Sequence, residues 1–462
     1  MSSTPTELTS KVRPRWVLAL TSLGFFMAMM DSMIVTTAST AIREDFGVSV
    51  AQLQWTLNAY NVSIAAFLLI GVAIGNRIGH RRLYNLGLLV FVIGSAACAL
   101  APNLSVLIAA RIAQGIGASV MTPMSMAILS AAFPPAQRGK ALGIWSGIGG
   151  LALIIGPALG GIIVSQMAWQ WIFWINIPIG LIGIIFSRKK LPESTFGGKL
   201  PNLVDSILVV LASGGIVWAL SESVSLSNQT PALIVGIISV LLAMAFVLRQ
   251  QNSTTPMIPL TLFKSPTFSG GVIGTFLLYA AMYGVVFFLP QYFQVVNGVD
   301  ALTAGLRMLP WTAMLVILSP VAGSAVDRYG ERPVAVVSLL LQVIGYAWIA
   351  MISAPGVSYL AMVVPLVISG AGISMAGPAL QKAVMGAVSP AQSGIASGVF
   401  NTFRQLGGAV GTSIAVILFS VFGSMDSSTT FANGFTAALI GSAIFTLIGC
   451  VSAVSLRPST AS

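Results

Sequence analysis

Fourteen apolar stretches of 18 residues or more follow one another along this chain. They lie at 16–40, 53–75, 83–101, 105–133, 141–165, 170–187, 203–221, 231–248, 269–294, 302–325, 334–352, 358–383, 395–422 and 432–455. A helix needs about 20 apolar residues to cross a bilayer. Every backbone donor and acceptor must be satisfied inside the hydrocarbon, which leaves helices or closed barrels. Barrel strands are short and alternate polar with apolar, whereas 141–165 is apolar on both faces. The expectation is an all-α polytopic membrane protein of 14 transmembrane helices. Composition agrees, because only 7% of the 462 residues are charged, against about 25% in soluble domains. The first stretch contains Asp31 and is too long for a leader's apolar core, so it reads as a span and not as a cleaved signal.

Basic residues set the expected orientation. Lys11, Arg13 and Arg15 precede the first span. Arg77, Arg81, Arg82, Arg138, Lys140, Arg188, Lys189, Lys190, Lys199, Arg249, Lys264, Arg328 and Arg332 fall on connections after even-numbered spans, and Arg457 follows the last. The opposite connections hold only Arg43. The positive-inside rule then places both termini in the cytoplasm with an even number of spans, and the expected location is a cell inner (plasma) membrane. The net charge of +11 is read as attraction to an anionic inner leaflet, not to nucleic acid.

Little in the chain suggests catalysis. His80 is the only histidine, and Cys98 and Cys450 lie in apolar runs near opposite ends. No metal cluster, nucleophile–base set or phosphate-binding loop is legible, and no polar stretch could house a nucleotide domain. An enzyme is therefore not expected, and neither is a cofactor.

An internal repeat organises the chain. Residues 133–143, FPPAQRGKALG, match 388–398, VSPAQSGIASG, and Asn76-Arg77-Ile78-Gly79-His80-Arg81 matches Asp327-Arg328-Tyr329-Gly330-Glu331-Arg332. The two blocks keep their order at nearly equal offsets. They divide the chain into a six-helix bundle (1–190), two additional helices with linkers (191–265) and a second six-helix bundle (266–462). Paired bundles around a midplane site are a layout for alternating access. The two additional helices lie outside the repeat and are expected to be peripheral to the pathway.

Several blocks in order resemble the major facilitator superfamily, in its fourteen-helix drug:proton antiporter branch. They are Met30-Asp31-Ser32-Met33-Ile34-Val35, Trp55 with Tyr60, NRIGHRR at 76–82, Arg111-Ile112-Ala113-Gln114-Gly115-Ile116-Gly117, Gly156-Pro157-Ala158-Leu159-Gly160-Gly161, and NTFRQLGG at 401–408. The resemblance implies conformational roles for Asn76, Arg77, Gly79, Arg81, Gln114, Gly115, Gly156, Pro157, Gly160, Gly161, Asp327, Arg328, Gly330 and Arg404. Two departures stand out. Asn76 replaces the usual Asp, which implies a weaker brace on the inner loop, and Ala38-Ser39-Thr40 replaces the usual Ala-Leu-Pro.

Proton coupling needs a titratable group inside the membrane. Asp31 alone among the acids lies deep in a span, and an intramembrane charge normally faces a partner or a cavity. Arg111, on the antiparallel fourth span, lies at a matching depth at about 1.5 Å per residue. Together they form the expected coupling pair, with Asp31 also expected to touch substrate. Drug pockets are apolar with a few polar anchors. The remaining candidate contacts are Met27, Met30, Asn58, Tyr60, Asn61, Trp145, Tyr283, Phe287, Trp311, Asn401 and Phe403. The function expected is proton-driven, monomeric export of hydrophobic cationic small molecules. Monovalent cations or neutral compounds should be preferred over dications, because one carboxylate cannot compensate two charges. An exporter of one metabolite or antibiotic, or a non-transporting membrane sensor, stays open.

Overall fold

A computed structural model of the chain describes residues 14–194, 202–223, 228–253, 256–388 and 392–457. Lys11, Arg13, Lys199 and the repeat residues Pro390 and Ala391 lie outside the described residues. The first half comprises α1 (Pro14–Phe46), α2 (Val50–Leu53), α3 (Trp55–Ile78), α4 (His80–Ala99), α5 (Leu104–Ala132), α6 (Pro135–Gln166), α7 (Trp171–Trp174) and α8 (Asn176–Lys190). Then come α9 (Leu203–Glu222) and α10 (Gln229–Asn252). The second half holds α11 (Pro266–Val295), α12 (Ala301–Arg307), α13 (Leu309–Ile317), α14 (Ser319–Tyr329), α15 (Glu331–Ile352), α16 (Tyr359–Gly386), α17 (Ser393–Phe422) and α18 (Ser428–Ala453). Among the described residues thirteen helices are long and apolar enough to cross a membrane, and counting one bent pair as a span gives fourteen.

Local chemistry starts these helices where the sequence permits. The Asn103 side chain accepts from Val106 N at 3.0 Å and Ser265 from Phe268 N at 3.4 Å. Asp300 accepts from Thr303 N, and hydrogen bonds from the Thr303 side chain and then its backbone hold the carboxyl below the ordinary carboxylate range. Such caps satisfy donors that a helix start leaves free. The stretch 302–325, expected as one straight span, is instead broken. Its halves Leu309–Ile317 and Val321–Tyr329 meet at 55°. Pro310 and Pro320 each remove a backbone donor from this region.

Each half packs mainly on itself: α1 on α5 and α6, α4 on α5 and α8, α11 on α17 and α18, α15 on α16. The halves meet along α3 with α17 and along α6 with α12 and α13. The added pair is asymmetric. α10 packs mainly on α9 and turns Ile234, Ile237, Leu241 and Met244 outward, an apolar face for lipid to cover. α9 does more than the expected peripheral helix, because it packs on both α3 and α17. Ser221 near its end joins Asn58 of α3 and Ser413 of α17 at 3.4 and 3.0 Å. It therefore lies across the seam of the two halves.

Candidate functional site

α1 and α5 run side by side and bring Asp31 against Arg111. Arg111 Nη1 donates directly to Asp31 Oδ2. The same guanidinium donates to Gln114 Oε1 at 2.7 Å and, through Nε, to Thr56 O at 2.8 Å. Asp31 Oδ1 accepts from Gln114 Nε2 at 2.8 Å and from Asn176 Nδ2 at 3.0 Å. Both amides also reach Ser95 Oγ, which donates to Phe173 O at 3.0 Å. The Tyr60 ring lies 4.2 Å from the guanidinium carbon, and its hydroxyl donates to Ala28 O. Asp31, Arg111, Gln114, Asn176 and Ser95 are all 0% exposed. Residues from α1, α3, α4, α5 and α8 thus converge on one charge pair. Removing one partner of a buried pair costs about 3–5 kcal/mol, so this pair ties α1 firmly to α5. Arg111 Nη2, buried without a hydrogen-bond partner, is a donor free to take up a new acceptor.

Beside this cluster, between the halves, lies a cavity of about 760 Å³. Its wall reaches the ends of α3, α5 and α16 and the start of α17, at Asn76, Ser130, Met385 and Ser397. These positions share the end of the bundle that carries the loop 76–82. The opposite end is shut. A Cβ at Gly161 would lie 2.6 Å from Ala301 O, and one at Gly305 would lie 2.5 Å from Pro157 O. The glycine-rich motif of α6 therefore works on two faces: Gly161 and Pro157 meet α12, while Gly156 and Gly160 lie against α1 at Met30 O and Ile34 O. Gln294 of α11 reaches Thr37 O of α1 at the same end.

Trp145, Tyr283 and Asn401 line the cavity as expected substrate contacts, joined by Asn76 and Arg404 from the motifs. Trp145 stacks on Phe25 at 3.9 Å and donates to Ser125 Oγ. Tyr283 lies beside Ser32 of α1 and Arg404 of α17. The other expected contacts fall elsewhere. Asp31 is sealed within the first half, so in this conformation it does not touch the cavity. Met27, Met30 and Tyr60 pack inside the first half. Asn58 belongs to the seam with Ser221 and Ser413. Asn61 is buried among the helices with neither amide atom hydrogen bonded. Phe287 packs on Phe288, Phe403 faces Phe263 and Phe276, and Trp311 backs onto Gly370. Helix phase accounts for these misplacements, because an aromatic in an apolar span has several faces to occupy.

The expected preference for cations meets a contrary wall. Arg404 is the only charged side chain among the described residues that line the cavity, and no carboxylate joins it there. Arg307 is also away from the cavity, 5.0 Å from the Tyr359 ring. Sequence reasoning missed Asn176 and Ser95. Asn176 carried a readable signal, an amide inside the apolar run Ile175-Asn176-Ile177-Pro178.

The basic residues of the loop motif meet a carboxylate that lies outside it. Glu193, just beyond α8, accepts from Arg81 N at 3.0 Å and lies 3.5 Å from Arg81 Nε and 3.8 Å from Arg82 Nε. Asn76 Oδ1 instead pairs with His80 Nε2 at 3.0 Å. A carboxylate at the N-terminus of α4 is favoured by the free amides there. Gly79 makes the approach possible: its φ is 113°, and a Cβ would lie 2.5 Å from Glu193 Oε1. In the second half Gly330 repeats the positive φ, at 87°. There Asp327 pairs with Lys382 at 2.6 Å, and Arg328 lies over the Tyr329 ring. Arg77 is exposed at the end of α3. Gln114 belongs to the charge cluster, and Gly115 lets α5 approach Tyr60 O of α3. Glu193→Gln is expected to lower stability by about 1 kcal/mol, read as the unfolding midpoint in mild detergent. Adding Asn76→Asp should restore it, and no rescue would count against this replacement of the brace.

Comparison with known proteins follows this architecture. The model of the Major Facilitator Superfamily matches residues 20–412 and 272–461. The multidrug resistance protein Stp of Mycobacterium tuberculosis (strain ATCC 25618 / H37Rv) is 32% identical over 88% of this chain and 75% of its own length. The riboflavin transporter RibZ of Clostridioides difficile (strain 630) is 32% identical over 87% of each chain. The methylenomycin A resistance protein of Bacillus subtilis (strain 168) is 30% identical over 92% and 91%. Among solved structures, a bacterial homologue of the human lysosomal transporter Spinster superposes with a TM-score of 0.70 at 17% identity, covering 97% of this chain and 98% of its own. This multi-pass membrane protein is a transporter and not an enzyme, and it belongs to the Major Facilitator Superfamily.

Proposed function

We propose that the protein exports hydrophobic small molecules from the cytoplasm in exchange for protons, as a monomer in the plasma membrane, by alternating access. The observation that carries this reading is the buried Asp31–Arg111 pair beside a cavity open at one end. Basic residues on the loop 76–82 put that end in the cytoplasm, with both termini on the same side, so the conformation faces inward and receives substrate there. No bound cofactor is required, because the proton gradient supplies the energy.

Coupling follows from shared helices. α1 carries Asp31 together with two wall residues, Met29 two positions before it and Phe25 six positions before it. α5 carries Arg111 and lines the cavity from Thr122 to Ser130. When Asp31 is ionised, Arg111 and the two amides hold α1, α5 and α8 together. A proton on Asp31 removes the charge that fixes Arg111, and the helices regain freedom to reorganise. The proton enters from the outer side, once the α6–α12 seal has opened, and leaves when the inner end opens.

In proteoliposomes, an imposed pH gradient should drive accumulation of a hydrophobic fluorescent compound, and an ionophore that collapses the gradient should stop it. Accumulation indifferent to the gradient would contradict proton exchange. A second reading, an exporter of a single compound, draws on the similarity to a protein named for riboflavin transport. Competition by a panel of unrelated aromatic compounds separates the two readings.

A further inference from the structure

We propose that the cavity takes compounds that carry one negative charge on an aromatic or other apolar body, with Arg404 as the residue that holds the charge. This rests on the reading above that the cavity is the transport site. Arg404 projects from α17 into the wall, half-buried, as the only charged side chain among the described lining residues. None of the ion pairs among the described residues includes it. Its Nε is buried without a hydrogen-bond partner. That nitrogen belongs to the fork with which a guanidinium grips a carboxylate through two parallel bonds.

The acid that could have neutralised it is occupied. Both oxygens of Asp31 are bonded to Arg111, Gln114 and Asn176, and the carboxylate is fully buried. A cation withdrawn from water without a counter-charge attracts an anion and repels a second cation. The surroundings fit the rest of such a molecule. The guanidinium carbon lies 5.6 Å from the Tyr279 ring, with Tyr283 beside it. Trp145, Met29 and Met282 complete a polarizable wall. Aromatic walls alone would suit an organic cation, but the fixed charge of Arg404 reverses that preference.

Charge balance adds a consequence. One anion leaving and one or more protons entering both move positive charge inward. An inside-negative potential therefore accelerates each cycle, whereas exchange of a monocation for one proton is electroneutral.

The test uses the full chain and three probes with the same apolar body: pyrenebutyrate, its neutral amide, and pyrenebutylamine. Binding is followed in detergent by fluorescence and transport in proteoliposomes. Pyrenebutyrate is expected to bind about tenfold more tightly than the amine, as one charge-assisted contact implies. Arg404→Gln should abolish that difference, weakening the carboxylate and relieving the repulsion of the amine while leaving the neutral amide unchanged, and Arg404→Lys should restore part of it. Retained binding of the amide shows that the Gln variant is folded. An inside-negative potential should speed pyrenebutyrate export. Amine binding equal to or tighter than carboxylate binding, or an unchanged preference in Arg404→Gln, would overturn the proposal while leaving export itself intact. Failure of all three probes to bind or move would overturn the transport site and the proposal together.

Discussion

Asp31→Asn is expected to abolish transport driven by a pH gradient while substrate-for-substrate exchange across the membrane continues. Asn keeps the shape of Asp31 and can still meet Gln114 and Asn176, but it cannot balance Arg111. The guanidinium keeps Thr56 O and Gln114 Oε1 as acceptors, at 2.8 and 2.7 Å, and the Tyr60 face at 4.2 Å. Those contacts hold the fold together, yet none can gain or lose a proton in step with the cycle. Leaving Arg111 without its counter-charge costs about 3–5 kcal/mol of stability, read as a lower unfolding midpoint, while gradient-driven accumulation falls to background. Arg111→Lys should not substitute, because an ammonium is a compact charge without the planar fork that here reaches Asp31, Gln114 and Thr56 together. Wild-type accumulation by Asp31→Asn would refute the role of the pair.

Gly161→Val is expected to open the seal between α6 and α12. Its Cβ would sit 2.6 Å from Ala301 O and 2.8 Å from Leu302 Cα. These are backbone atoms with no rotamer to yield, so α6 must move away from α12. Overpacking of this kind costs about 1–3 kcal/mol. That cost falls on the state in which the two helices touch and shifts the balance of states by about 5- to 150-fold. Spin labels at Gln166 and Asp300, both exposed at that end, should report longer separations in the variant. Gly147→Val on the same helix is the control, since nothing lies within 4 Å of its Cβ. Equal distances in Gly161→Val and wild type would show that the contact does not hold the seal.

The sequence made the helical bundle legible because apolar length is a one-dimensional property, and nearly every expected stretch is a helix. The exception is 302–325, where Pro310 and Pro320 were visible but their joint bend was not. The Asp31–Arg111 pair was legible from depth alone, because two charges in hydrocarbon have few places to go. The polar shell was not: Ser95 and Asn176 are ordinary uncharged residues whose meeting depends on how α4, α7 and α8 pack. Cavity contacts were the least legible. Trp145, Tyr283 and Asn401 face the cavity while Trp311, Phe287 and Phe403 do not, and a few tens of degrees of helix rotation separate those outcomes. The charge of the cavity wall was illegible for a related reason. Asp31 was taken as open to substrate, but α3 and α8 close over it and leave Arg404 as the charge that faces the cavity.

The coupling pair is tested most directly by proton release from the purified protein. In weakly buffered detergent, over a series of starting pH values, addition of a transported substrate to the wild type should produce a measurable pH change at one or more of them. The same addition to Asp31→Asn, at a concentration that saturates binding, should produce none. An equal pH change in both proteins would show that the exchanged proton resides elsewhere and would contradict the account.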